Sequence, residues 1–179
     1  MRLLAISGSL RAHSSNGELL RALATLAAPA IGVELYAGLG DLPAFNPDLD
    51  EEGMTPPSTV KTLRRAVGDA DGLVISSPEY AHGVPGALKN ALDWLVSGPE
   101  MVYKPVGLLN PSPRSVHAQQ SLAETLRTMS ALLVEGACLA LPVSGRGLNA
   151  ETIVADVELR SQLEGVLRAM AGADPSSLP

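Results

Sequence analysis

The chain has 179 residues, a formal net charge of −6 at pH 7, and apolar side chains at 46% of its positions. That apolar content excludes a disordered chain, and the negative charge argues against general nucleic-acid binding. The length suits one α/β domain, which we expect over residues 1–173, followed by a flexible tail at 174–179.

Strands and helices alternate along the chain. Hydrophobic runs predict strands at about 2–7, 32–37, 72–77, 105–110 and 136–141. Helical patterns follow at about 15–29, 56–69, 85–97, 116–133 and 152–171. This alternation predicts a flavodoxin-like α/β fold, a doubly wound five-stranded parallel sheet of order 2-1-3-4-5 in a three-layer α/β/α arrangement.

The first strand ends in a loop of glycine and small polar residues, at 7–16, that leads into the first helix. The first N–H groups of a helix lack intrahelical partners, and the helix dipole is positive there. The loop therefore predicts a phosphate-binding site. Its candidate ligands are hydroxyl, amide and guanidinium side chains: Ser9, Arg11, Ser14, Ser15 and Asn16.

A plain N-terminal cap is the alternative interpretation of this loop, because Ser14, Ser15 and Asn16 all suit that position. Ser9 and Arg11 exceed what a cap needs, which favours phosphate binding. The loop has neither the glycine and lysine of a Walker loop nor the three spaced glycines of a dinucleotide fingerprint. A mononucleotide or another phosphate monoester is therefore expected, rather than ATP or a tightly held NAD.

The loop after the third strand carries the other half of the expected site, since ligands of such sheets bind between the first and third strands. Pro78, Gly83 and Pro85 constrain its backbone or allow close approach. A rigid loop can read the edge of a flat heterocycle through its N–H and C=O groups, with Tyr80 beside the ring. A stiff connector with Tyr80 on the surface fits the pattern equally well.

The helix expected at 85–97 has more apolar residues than one face needs. These are Leu88, Leu92, Trp94 and Leu95. Trp94 fits a core residue better than a cofactor contact. The surplus suggests that one face packs on the sheet and another on a second subunit, although a fully covered monomeric helix is the alternative.

One cysteine, Cys138, excludes an intrachain disulfide, and its apolar neighbours favour a buried small side chain over a nucleophile. No apolar stretch is long enough for a membrane span, and the N-terminus has no secretion-signal pattern. A cytoplasmic protein with no membrane partner is therefore expected. The three histidines are scattered without ligand spacing and predict no metal site.

Several motifs in a fixed order resemble the NADPH-dependent FMN reductase family, a flavodoxin-like group that includes quinone, azo-dye and chromate reductases. They are Gly8-Ser-Leu-Arg11 with Ser14 and Asn16, Asp41-Leu-Pro-Ala-Phe-Asn-Pro-Asp48, Ala70-Asp-Gly72, Ser77-Pro-Glu-Tyr80, and Val84-Pro-Gly-Ala-Leu-Lys-Asn-Ala-Leu-Asp-Trp94. The resemblance is strong from residue 3 to about residue 109.

The resemblance implies noncovalently bound FMN and a homodimer or homotetramer. The phosphate loop of the family corresponds here to Ser9, Leu10, Arg11, Ser14, Ser15 and Asn16. The flavin-ring loop corresponds to Pro78, Glu79, Tyr80 and Ala81, with His82 near the mouth and Ser112 facing the flavin from a third loop.

The sequence departs from the family pattern in two segments. Where the family often has Asn-Tyr-Ser after the ring-loop tyrosine, this chain has Ala81-His82-Gly83. Where the family often has a glycine-rich stretch, this chain has Asn110-Pro-Ser-Pro-Arg-Ser-Val-His117.

The expected function is FMN-dependent NAD(P)H oxidation, with electrons passing to quinone, azo, metal-oxyanion or free-flavin acceptors. The flavin supplies the redox chemistry, so no catalytic side chain is predicted. The sequence does not distinguish NADPH from NADH as the electron donor. A flavodoxin-like electron carrier without direct NAD(P)H oxidation is one alternative, and a chain that no longer holds FMN is another.

Overall fold

A parallel sheet forms the centre of the protein. We describe residues 1–51 and 53–173 in a computed structural model of the chain. The four long strands are β1 (Arg2–Ser7), β2 (Gly32–Leu35), β3 (Gly72–Ser76) and β4 (Pro105–Asn110). Every residue of β3 and β4 is buried, because both faces of the sheet are covered.

The strand order is β2-β1-β3-β4-β5, as predicted, with β5 at Leu132–Leu133. The register pairs Ser7 of β1 with Ser76 of β3, and Ser76 with Leu109 of β4. The carboxyl ends of these three strands therefore lie side by side. After β1 the chain continues to β2 on one side, and after β3 it continues to β4 on the other side. The loops after β1 and β3 therefore flank a crevice at the carboxyl end of the sheet.

Within residues 1–51 and 53–173, six helices cover the sheet: α1 (Ser15–Ala27), α2 (Ser58–Asp69), α3 (Gly86–Asp93), α4 (Val116–Thr128), α5 (Ala150–Ala155) and α6 (Val157–Ala171). α2, α3 and α4 pack on one face, and α1, α5 and α6 pack on the other. Alternate residues of β1 pack against opposite helix layers. Leu4 and Ile6 pack against the layer of α2, α3 and α4, and Leu3 and Ala5 pack against the layer of α1, α5 and α6. Among the described residues, no helix combines the length and apolarity needed to cross a bilayer.

The prediction of one strand at 136–141 is wrong. Two short strands, β5 (Leu132–Leu133) and β6 (Leu139–Ala140), both pair with β4, and a 3-10 turn at Glu135–Ala137 separates them. The physical reason lies on β4, where a Cβ on Gly107 would be 3.0 Å from the Cβ of Ala137. Since glycine leaves that space open, the chain folds Ala137 over β4 instead of continuing the ladder.

Three predicted helices also differ from the structure, and the one expected at 85–97 ends at Asp93. The pattern at 152–171 is two helices that meet at Asp156, whose carboxylate accepts hydrogen bonds from the N–H groups of Glu158 and Leu159 and caps α6. The helix predicted at 116–133 ends at Thr128 because Ser130 has a left-handed backbone, with φ of 62°. The tail predicted at 174–179 lies outside the described residues.

The segment before α2 covers the apolar surplus of α3. Trp94 has no exposed surface, donates from Nε1 to the Pro43 carbonyl at 2.9 Å, and packs edge-on against Phe45. The side chains of Leu88, Leu92 and Leu95 are also buried within the single chain. Trp94 is therefore a core residue, as predicted. Because these apolar side chains are covered within one chain, they give no evidence for a second subunit. The homo-oligomer stays a prediction from the family resemblance.

Candidate functional site

The loop after β1 crosses closely over β3. The Gly8 N–H donates to the Ser76 carbonyl at 2.8 Å. A Cβ on Gly8 would lie 2.8 Å from the Ser77 hydroxyl oxygen and 3.1 Å from Leu88. Any other residue here would push the loop away from β3, so this glycine sets how close the two halves of the site come.

Ser14 is the N-terminal cap of α1. Its Oγ accepts a hydrogen bond from the Gly17 N–H at 3.0 Å, which confirms the capping interpretation for that oxygen. The N–H groups of Ser15 and Asn16, the next two residues, have no partner among the described residues. The Ser14 O–H and these two amides therefore remain as donors at the positive end of the helix dipole.

Asn16 links the first loop to β3. Its side chain is nearly buried, and its Oδ1 accepts a hydrogen bond from the Ser76 hydroxyl at 3.0 Å. Its Nδ2 has no partner within the described chain. A nearly buried amide whose donors lack protein partners, beside unpaired helix N–H groups, is the donor set that a phosphate requires.

Arg11 and Leu10 lie at the exposed tip of this loop. Arg11 is exposed and makes no ion pair among the residues that the structure describes. Leu10 is 62% exposed, and its side chain lies beside Gly40. Ser9 lies between them and β1, with its N–H bonded to the Ser7 hydroxyl at 3.3 Å. The loop thus presents one uncompensated positive charge to solvent on an acidic protein.

Glu18, in the first turn of α1, is the nearest acidic group along the chain, and its charge is compensated. Arg21 donates to its carboxylate at 2.6 Å, and the Ala150 N–H donates at 2.9 Å. The hydrogen bond from Arg21 is the main reason that the pKa of Glu18 lies below its usual value. This pairing limits the repulsion that an anion bound at the start of α1 would meet.

The loop after β3 forms a tight turn at Tyr80–Gly83. The Gly83 N–H donates to the Tyr80 carbonyl at 2.9 Å, and the Tyr80 N–H donates to the Gly83 carbonyl at 3.1 Å. Ala81 and His82 have φ of 49° and 61°, as in the type I′ turn of a two-residue hairpin. Tyr80 is 58% exposed beside this turn, and Pro78 is partly buried at its base.

Glu79 has a structural partner that the sequence did not reveal. Its Oε2 accepts a hydrogen bond from the Ala118 N–H at 2.9 Å. Ala118 is the third residue of α4, and Ser115, at the capping position, makes no side-chain cap. Glu79 therefore caps α4 from another loop, where a carboxylate also interacts favourably with the helix dipole. Its predicted contact with a flavin stays a prediction.

Asn110 fixes the loop after β4. It ends a buried strand, its Oδ1 accepts from the Ser112 N–H at 3.0 Å, and its Nδ2 donates to the Ser115 carbonyl at 3.1 Å. These bonds hold Ser112 partly exposed at the carboxyl edge. Sequence reasoning missed Asn110 and Ser76, although a polar residue at the end of a buried strand was a usable signal for both.

His82 and His117 bring the second and third loops together. Their ring centroids are 4.2 Å apart and the planes are tilted by 30°, so the imidazoles stack. His117 is the second residue of α4, next to the residue that Glu79 caps. Three of the predicted site residues thus link the loops: Asn16 joins the first loop to Ser76, and Glu79 and His82 join the second loop to α4.

Cys138 lines a cavity of about 830 Å³ between α4 and the outer edge of the sheet, which Asn110 also lines. Burial raises the pKa of its thiol, which keeps it protonated. Its side chain is half-buried where a buried one was expected, and the absence of a nucleophilic role stays a prediction.

Comparison with known proteins identifies relatives among reductases. The chain is 39% identical to a quinone reductase of Escherichia coli (strain K12) over 109 residues, which cover 59% of this chain and 57% of that protein. It is 35% identical to an NAD(P)H-dependent FMN reductase of Pseudomonas aeruginosa over 131 residues, covering 70% of this chain and 69% of the relative. The match with the first relative thus spans little more than half of that relative's length.

Solved structures show the same fold. The flavoenzyme NAD(P)H:(acceptor) oxidoreductase FerB from Paracoccus denitrificans superposes with a TM-score of 0.76 at 24% identity, covering 96% of this chain and 98% of that one. A flavodoxin from Pseudomonas aeruginosa superposes with a TM-score of 0.60 at 14% identity, covering 96% of this chain and 100% of that one. The fold prediction is therefore confirmed.

The family model described as NADPH-dependent FMN reductase matches residues 1–146, which include all three loops of the candidate site. The chain belongs to the NADPH-dependent FMN reductase family.

Proposed function

We propose that this protein is an FMN-dependent NAD(P)H oxidoreductase that passes electrons to a small-molecule acceptor. Quinones are the favoured acceptor class because several relatives are named quinone reductases, and azo compounds, metal oxyanions and free flavins are further candidates. The observation that carries the proposal is the group of hydrogen-bond donors at the start of α1 that lack partners in the described chain. They lie at the carboxyl ends of β1 and β3, where the connections from these two strands run in opposite directions.

The donors of the first loop fit the phosphate of FMN. The Ser15 and Asn16 amides, the Asn16 Nδ2 and the hydroxyls of Ser9 and Ser14 supply hydrogen bonds, and Arg11 supplies charge. Leu10 belongs to the same turn; its side chain is exposed to solvent and lies beside Gly40.

The second and third loops fit the flavin ring. We assign ring contacts to Pro78, Tyr80, Ala81, His82 and Ser112, with Glu79 acting mainly through its cap on α4. Bound FMN would supply hydride and electron transfer, while the chain binds and orients it. We assign no side chain an acid or base role.

The donor is NADPH or NADH, bound transiently against the exposed ring beside Tyr80 and His82. The chain has no dinucleotide fingerprint, which favours brief binding over a resident nicotinamide cofactor. We also propose a homodimer or homotetramer, in line with the family resemblance, and a cytoplasmic location, in line with the single cysteine.

Anaerobic stopped-flow mixing with NADPH tests the proposal. The FMN-loaded protein should lose its flavin absorbance in one fast phase when NADPH is added, and quinone should restore it. Protein stripped of flavin is the control. An FMN-loaded protein that NADPH does not bleach would instead be a flavodoxin-like carrier, and a protein that takes up no FMN would overturn both functions.

A further inference from the structure

The turn at Tyr80–Gly83 has a backbone that alanine, one of its two central residues, disfavours. Type I′ turns strongly prefer asparagine, aspartate or glycine at the two central positions, where φ is positive. Here those positions hold Ala81 and His82, with φ of 49° and 61°. Strained backbone persists only where surrounding contacts hold it, and such strain clusters at ligand sites.

Two contacts with the first turn of α4 hold this loop. The His82 ring stacks on the His117 ring with centroids 4.2 Å apart. The Glu79 carboxylate accepts the Ala118 N–H at 2.9 Å. The start of α4 is itself held in place, because the Asn110 side chain hydrogen-bonds to the loop that enters this helix. These contacts hold the turn from outside its own segment, in addition to the two hydrogen bonds between Tyr80 and Gly83.

The stacked pair joins the two segments in which this chain departs from the family pattern. His82 lies in the segment 81–83, and His117 ends the segment 110–117. Both side chains are exposed at the rim, so the stack adds contact there without belonging to the hydrophobic core. With centroids 4.2 Å apart, the two rings are close enough for van der Waals contact between the two segments.

We propose that His117 is a positioning residue. Through its stack on His82, it holds the Tyr80–Gly83 turn, and with it Tyr80, at the mouth where the nicotinamide donor reaches the flavin. This inference rests on the proposed function for the identity of the ligand. The conformational part, that His117 fixes the turn, stands on the geometry alone.

Amide hydrogen exchange measured by NMR on the purified protein tests the conformational part. In His117→Ala, the Tyr80 and Gly83 amides should exchange about two- to tenfold faster than in the wild type. His117→Phe should restore slow exchange because it keeps an aromatic ring. The matched control is Ser121→Ala, an exposed position on the same helix, which should exchange like the wild type at both amides.

His82→Asn removes the other ring while keeping a residue that tolerates positive φ. The double variant with His117→Ala should exchange no faster than the faster single variant, because the two rings act as one unit. Additive effects, unchanged exchange in His117→Ala, or no rescue by phenylalanine would each overturn the proposal.

Steady-state kinetics with a quinone acceptor test the link to the donor. His117→Ala should raise the apparent KM for NADPH about two- to tenfold with little change in kcat, and His117→Phe should return it to the wild-type value. A wild type that binds no FMN defeats the proposed function, while the exchange result still decides the role of His117. An active His117→Ala with faster exchange but an unchanged KM would overturn the link between the turn and the donor.

Discussion

Replacing Arg11 with alanine isolates the charged contact at the phosphate end of the site. Arg11 is exposed and unpaired within the described chain, so its removal should leave the fold intact. A hydrogen bond to a charged group contributes about 1.5–3 kcal/mol. Since solvent screens this exposed guanidinium, we expect the lower end, about 1.5 kcal/mol, which corresponds to roughly tenfold weaker FMN binding. The amides of Ser15 and Asn16 remain and should preserve weak binding.

Titration of flavin-free protein by quenching of flavin fluorescence measures this change. Riboflavin lacks the phosphate, so it should bind Arg11→Ala and the wild type equally. The matched control is Arg65→Ala, because Arg65 is an exposed arginine on α2 and both variants lose one positive charge. The difference between the variants should shrink at high salt. Unchanged FMN affinity in Arg11→Ala, or an equal loss of riboflavin affinity, would refute the assignment.

Three further predictions concern the same edge of the sheet. Ser76→Ala removes the buried hydrogen bond to Asn16 and should lower the free energy of unfolding by about 1–3 kcal/mol in urea denaturation; a loss within error of zero would contradict that role. Gly83→Val should narrow the mouth and raise the apparent KM for NADPH while FMN stays bound, and steady-state kinetics showing an unchanged KM would place the nicotinamide elsewhere. Because Arg21 lowers the pKa of Glu18, ionised Glu18 stabilises the fold at neutral pH, and this contribution is lost as pH falls below the ordinary value of 4.5. Glu18→Gln should therefore be less stable than the wild type at neutral pH and equally stable at strongly acid pH; denaturation curves with a pH-independent difference would argue against it.

Hydrophobic runs predicted the four long strands, and the signal is clearest for β3 and β4, where both faces of the sheet are buried. β1 and β4 have the predicted bounds, and β2 and β3 end within two residues of them. The apolar run at 136–141 was wrongly predicted as one strand because nothing in the sequence signals the 3-10 turn at Glu135–Ala137. The 3-10 turn before β6 depends on the empty space at Gly107 of β4, which no local pattern encodes.

Local chemistry predicted the first loop better than the second. A cap such as Ser14 bonds within three residues of itself, so sequence alone could identify it. Glu79 bonds to an amide 39 residues away, and His82 stacks on a ring in another loop. Those partners depend on how the crossovers place α4 beside the β3 loop, and this placement follows only from the folded sheet.

The broken outer edge of the sheet also bears on how the protein behaves at high concentration. A long, flat edge strand offers a row of unpaired N–H and C=O groups on which another chain can add a strand. Here that edge is made of two two-residue strands, β5 and β6, with a 3-10 turn carrying the exposed Glu135 between them. The interruption and the charge leave no continuous template on this side, so the fold itself protects the protein from edge-to-edge aggregation.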